Sequence, residues 1–125
     1  MIHGSMLKNL TVNLSAEGHH ILSDVKQSQG GDDGGLSPHE LLEASLVACT
    51  SITVMMYARR RGIPLTNIEV SVDTVSEGSE SKLSRKIKLL GELTNEQQKK
   101  IMEIADKCPI HKLLTSQISI TTELA

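Results

Sequence analysis

The hydrophobic pattern is densest between Ala44 and Ala58. That run carries no charge and places Leu46, Val47, Ala48, Ile52, Val54, Met55 and Met56 on every side of a helix. A helix that is apolar all round lies in a core or spans a membrane. The uncharged run is too short for a span and is interrupted by Ser45, Thr50, Ser51 and Thr53, so the pattern predicts a buried central helix. Its limits are signalled on both sides. Ser37 is a good N-cap, Pro38 suits the first helical position, and Glu40 completes a capping box. Arg59, Arg60 and Arg61 favour the negative end of the helix dipole, Gly62 can take a left-handed C′ conformation, and Pro64 blocks continuation. A rod of roughly 36 Å follows over Ser37–Arg61.

On either side the period changes from helical to alternating. Leu10, Val12 and Leu14 alternate with Thr11 and Asn13, predicting a strand over residues 7–14. Residues 15–18 supply a turn, and His19–Ser23 returns to complete a hairpin. A third short strand is expected over residues 25–29. The GGDDGG run, Gly30–Gly35, lacks the following lysine of a phosphate loop and reads as a connector whose glycines permit close backbone approach. Beyond the central helix, Ile68–Val72 alternates strictly. Lys82–Leu90 alternates again, with Leu83, Arg85, Ile87 and Leu89 on one face, where an inward arginine needs a partner. Thr94 and Gln97 form a second capping box ahead of a helix reaching about Lys107, with an apolar stripe of Ile101, Ile104, Ala105 and Cys108. Cys108 is placed like the N-cap of a short turn through Leu114, and a final strand is expected over residues 117–123. Strands, long helix, two strands, helix and strand make an α+β domain of antiparallel sheet packed on a long buried central helix and a second helix.

Composition narrows the function classes. With 125 residues and a formal net charge of −2, one domain can bury a core without staples, and no basic patch supports nucleic-acid or membrane binding. Phe and Trp are absent and Tyr57 is the only aromatic residue, which removes any stacking platform for single strands. The opening MIHGSM reads as an expression scar, residues 1–6, ahead of a domain over residues 7–125. No signal peptide, transmembrane segment or lipidation motif is found, and two widely separated cysteines make no secreted disulfide framework, so a cytoplasmic protein is expected.

Those two cysteines hold the candidate chemistry. Taken alone, Cys49 in mid-helix is most simply an inert core residue. A pair of thiols offers more. A low-pKa thiol oxidised by peroxide gives a sulfenic acid, and a second thiol in reach condenses with it to a disulfide. Cys108, next to Lys107 and the amides of a following helical turn, is favoured as a thiolate. Cys49 has no helix end of its own, so its activation is expected from side chains across a pocket.

The stretch GLSPHELLEASLVACTSI resembles the signature helix of the OsmC/Ohr family, and KCPIHKLL is similar to the family's second motif. The order of elements agrees over nearly the whole chain. The resemblance implies an OsmC-like fold, an intertwined homodimer with sites at the interface, and a thiol peroxidase of organic hydroperoxides. It further implies Cys49 as the peroxidatic and Cys108 as the resolving residue, with an external dithiol as reductant and neither cofactor nor metal. A greasy substrate would suit a lining of Leu42, Leu46 and Met56.

Two departures from the family stand out. The family glutamate that holds an arginine over the thiolate is replaced by His39, and no arginine precedes Arg59. Glu40 lies about 180° round the helix from Cys49 and His39 about 80°. Glu40 therefore cannot simply take over, and its cap role suffices. His39 and Arg85 are the candidate substitute supports. Two further readings compete: a binding protein that keeps the fold without efficient peroxidase activity, and a metal site using Cys49, Cys108 and His111, for which a single C-x-x-H is a thin pattern.

Overall fold

The structure, a computed structural model, describes residues 1–125. The chain divides into two compact units, Met1–Ala44 and Ser45–Ala125.

The first unit is a three-stranded antiparallel sheet in the order β1 (His3–Lys8), β2 (Thr11–Ala16), β3 (His19–Ser23). The strand expected over residues 7–14 is split. Asn9 adopts φ 45°, and the chain turns there and pairs Lys8 with Thr11. Strand β1 therefore takes in His3–Met6, residues expected to lie outside the fold. A two-residue turn with positive φ at Glu17 and Gly18 joins β2 to β3 in the register Leu14–Ile21. No third strand forms over residues 25–29. A single 3₁₀ turn, Gln27–Gln29, stands there, and its exposed polar side chains give a strand nothing to bury.

The connector is held by one carboxylate. Asp24 is 2% exposed. It accepts from the Thr11 hydroxyl at 2.8 Å, from the Val25 amide at 2.7 Å and from the Gly34 amide at 3.0 Å. The Thr11 bond is the main cause that holds its carboxyl below the ordinary 3.8, and burial opposes it. Ser23 adds a bond from its hydroxyl to the Leu36 carbonyl. A Cβ at Gly35 would stand 2.1 Å from the Leu22 carbonyl oxygen, so only glycine allows this approach.

Helix α1 (Pro38–Arg61) begins in this unit and continues into the second. Its start is the predicted capping box, with Ser37 and Glu40 exchanging bonds of 3.1 and 3.2 Å. Its end is a Schellman closure: Gly62, at φ 64°, donates to Arg59 and Ile63 donates to Ala58.

In the second unit, β4 (Asn67–Ser76) and β5 (Lys82–Leu90) form an antiparallel pair, followed by α2 (Asn95–Ala105) and α3 (Pro109–Leu114). The core joins Val54 and Ala58 of α1, Leu65, and Ile101 and Ala105 of α2, with Ile68, Ile87 and Leu89 of the strands packed against it. The α+β class and the helices packed on antiparallel strands match the sequence reading, although the strands form two sheets rather than one.

Two expectations fail in instructive ways. Only the Leu46, Thr50, Val54, Ala58 stripe of α1 is buried, while Ile52 is 59% and Met56 55% exposed. By length and composition α1 would also pass as a membrane span, with 22% of its most apolar stretch buried. Its capped ends and its polar Thr50 fit a core helix that is covered along one stripe. The strand expected over residues 117–123 does not form: these residues are irregular and Ile120 is 84% exposed. A strand exists only against a partner, and none is offered within the chain.

Candidate active site around Cys49 and Cys108

The site is built on three helices and one strand of the Ser45–Ala125 unit. Cys49 projects from the middle of α1 and is half-buried. Cys108 follows the last turn of α2 and is fully buried. It caps α3 as predicted: its sulfur accepts from the His111 amide at 3.2 Å, and Pro109 fills the first helical position. Both are free thiols, and Cys108 counts among the neighbours that act on the Cys49 thiol. The fold thus brings the start of α3 near Cys49 of α1.

The electrostatics of Cys49 run against the mid-helix expectation. Burial pushes its thiol up, but the shift is reversed by the Ile110 amide, the Cys108 thiol, the Thr53 hydroxyl and the charge of Arg85, and the net result lies below the ordinary 9.0. The Thr53 oxygen is 3.9 Å from the sulfur. Ile110 is the second residue of α3, so a free helix-start amide does serve Cys49. It comes from a neighbouring helix, which the sequence position of Cys49 could not reveal.

Arg85 finds its partners here. Its side chain, 12% exposed, donates to the Thr50 hydroxyl at 3.0 Å, to the Ala105 carbonyl at 3.3 Å and to Asp106 at 2.6 Å. His111 Nδ1 lies 3.9 Å from the same Asp106 oxygen. Asp106, the C-cap of α2, is a site residue that sequence reading missed. The only signal was its place two residues before Cys108, and nothing in the pattern tied it to Arg85.

Two cavities are lined by residues that neighbour the thiols in sequence or by hydrogen bond, although neither cysteine lines them. One, of about 470 Å³, is walled by Leu46, Leu83, Ile87, Met102 and Leu114, with Arg85, Asp106 and His111 at its polar side. The other, of about 380 Å³, lies along Thr53, Met56, Tyr57, Ile104 and Pro109, with Arg60 and Lys107 at its rim. The Arg61 guanidinium sits 5.7 Å from the centre of the Tyr57 ring. Leu46 and Met56 thus belong to separate cavities. Leu46 stands three residues before Cys49 and Met56 seven after it, so the two are about 15 Å apart along the axis and line different pockets.

Leu42, His39 and Glu40 belong to the Met1–Ala44 unit. Leu42 lines neither of these cavities. Glu40 is engaged as cap partner: bonds from the Ser37 backbone and side chain hold its carboxyl below the ordinary 4.5. His39 is an exposed residue of the first turn of α1. No three His, Cys, Asp or Glu side chains gather where a metal could be held.

The two sequence motifs thus fall on a capped α1 with a mid-helix thiol and on a Cys-Pro helix start. Residues 30–123 match the model of the OsmC family, described as OsmC-like protein. The chain belongs to that family. No curated protein matches this OsmC-like chain in sequence. Among solved structures, the OsmC-like protein of Mycoplasma pneumoniae superposes with a TM-score of 0.77 at 16% identity, over 91% of this chain and 85% of its own. The organic hydroperoxide resistance protein OsmC of Legionella pneumophila gives 0.66 at 17% identity, over 92% and 88%. An organic hydroperoxide resistance protein of Elizabethkingia anophelis gives 0.66 at 16% identity, over 91% and 86%. At these identities the likeness establishes the fold.

Proposed function

We propose that this OsmC-like chain is a cytoplasmic cysteine peroxidase for organic hydroperoxides. The observation that carries the reading is a pair of free thiols near one helix start, with Cys49 held below its ordinary 9.0, against burial, by the Ile110 amide, its Cys108 and Thr53 neighbours and the charge of the paired Arg85. The Cys49 thiolate attacks the outer oxygen of the hydroperoxide and the O–O bond breaks heterolytically. The alkoxide takes up a proton and leaves as the alcohol, and Cys49 becomes a sulfenic acid. The Cys108 sulfur then attacks Cys49, expelling hydroxide that is protonated to water and leaving a Cys49–Cys108 disulfide. An external dithiol returns both residues to thiols by exchange and is itself oxidised. The apolar walls beside Leu46 and Met56 favour a greasy organic group, and Arg85 serves where the family's arginine is missing.

Titrating free thiols before and after one equivalent of an organic hydroperoxide tests this. Loss of both thiols as an intramolecular disulfide is expected. Two unchanged thiols would overturn the peroxidase reading in favour of a protein that keeps the fold for binding.

The same reading includes an obligate homodimer with the sites at its interface. The uncovered Ile52 and Met56 of α1, and the unpaired alternating tail with Ile118 and Ile120, supply apolar surface that a second copy would cover. Sedimentation at micromolar concentration should find a dimer, and a well-folded monomer would refute it.

A further inference from the structure

We propose that Asp106 is the positioning residue that fixes the Arg85 guanidinium beside Cys49, so that the thiolate depends on a carboxylate it does not touch. The proposal rests on the thiol reading above, but its test reads ionisation rather than turnover.

The guanidinium is held at two ends. One nitrogen bonds Thr50, the residue next to Cys49 on α1, and the Ala105 carbonyl; the other bonds Asp106 at 2.6 Å. Of these three partners only Asp106 carries charge. A largely buried guanidinium left with neutral acceptors keeps its desolvation cost without a counter-charge. The arginine also has somewhere else to go. It lines the 470 Å³ cavity, and a long flexible stem released at one end would swing into that space.

The place of Asp106 argues for pairing rather than for helix stability. It is the C-cap of α2, where the dipole disfavours an acid, and the last turn of α2 holds no base to offset it. Arg85, arriving from β5, is the compensating charge. His111 approaches the same oxygen at 3.9 Å, a longer contact that is ionic only when the ring is protonated. Lys82 is the further charged group on this cavity wall, and Cys108 the remaining titratable neighbour of Cys49.

Two routes from Asp106 to Cys49 have opposite signs. Acting directly, its negative charge disfavours a thiolate, so removing it would make Cys49 more acidic. Acting through Arg85, it holds a cation in place, so removing it would make Cys49 less acidic. Asp106 acts by the second route.

The experiment is the pH profile of Cys49 alkylation by iodoacetamide in the reduced full chain, with the site resolved by mass spectrometry. Asp106→Asn should raise the Cys49 midpoint by about one pH unit, a roughly tenfold loss of thiolate below the midpoint. Asp106→Glu should restore most of it. In an Arg85→Met background Asp106→Asn should give no rise; Arg85→Gln serves if the Met variant does not fold. A fall of the midpoint, no change, or an equal rise with and without Arg85 would each overturn the proposal. Inertness of the wild-type protein toward hydroperoxides would leave this result standing, so the two readings fail separately.

Discussion

The two units of the chain are stabilised in opposite ways. In Met1–Ala44 the side chains taken out of water are polar, Thr11, Ser23 and Asp24, while Leu10, Ile21 and Leu22 remain exposed. In Ser45–Ala125 the buried set is Leu46, Val54, Ala58, Leu65, Ile101, Ala105 and Cys108, with Thr50 as its one polar member. The first is a hydrogen-bonded frame around one carboxylate. The second is an apolar core with a thiol at its margin. Directional bonds tolerate little change in charge state, and apolar packing tolerates little change in volume. Each unit should therefore fail under a different insult.

The largest effect should come from the thiols of the second unit. Cys49→Ser should abolish hydroperoxide consumption, and Cys108→Ser should permit a single turnover that leaves a trappable sulfenic acid on Cys49. Turnover retained in Cys49→Ser would separate the chemistry from the apolar unit's margin. Next comes the core. Ile101→Ala should cost about 2–5 kcal/mol in urea unfolding, because a fully buried side chain is lost from close packing. Hydrogen exchange should lose protection over Ser45–Ala125 first.

A pH titration sharpens the contrast, because the two units titrate at opposite ends. The Asp24 carboxyl lies below its ordinary 3.8, so its contribution is complete above that value and is lost as pH falls through the lowered one. Exchange protection of the amides of Val25 and Gly34 should fade there. Cys49 lies below the ordinary 9.0, so its contribution is complete above 9.0 and is lost as pH falls through its lowered value. Between those limits the second unit should gain stability with rising pH while the first does not respond. The smallest effect is expected at a helix end. Gly62→Ala should cost ~1 kcal/mol, since φ 64° is left-handed and no other atom crowds the position.

Legibility in the sequence followed the range of the interaction. The caps of α1, the Thr94 box and the Cys108 cap were readable because the bonds that make them join residues three apart. The β4–β5 pair was readable because alternation reports which face is covered. What escaped depended on distant partners. Strand β1 is exposed along its length and carries no alternation, yet it pairs with β2. Residues 117–123 alternate well and stay irregular, because alternation states a preference and not a partner. In the site, the inward arginine was legible, whereas Asp106 and the Ile110 amide were not. Both approach from α2 and α3 after the chain has folded back.

The shortage of aromatic rings has an optical consequence. With Phe and Trp absent, Tyr57 is the chain's one strong near-ultraviolet chromophore, and it stands on the same helix as Cys49, two turns on, in the wall of a cavity that also holds Thr53 and Pro109. Tyrosine emission from this chain has a single origin, and thiolate absorbance rises from an unusually dark background. The molecule carries a single native chromophore on the helix that bears Cys49, so its near-ultraviolet signal can be read without adding a label.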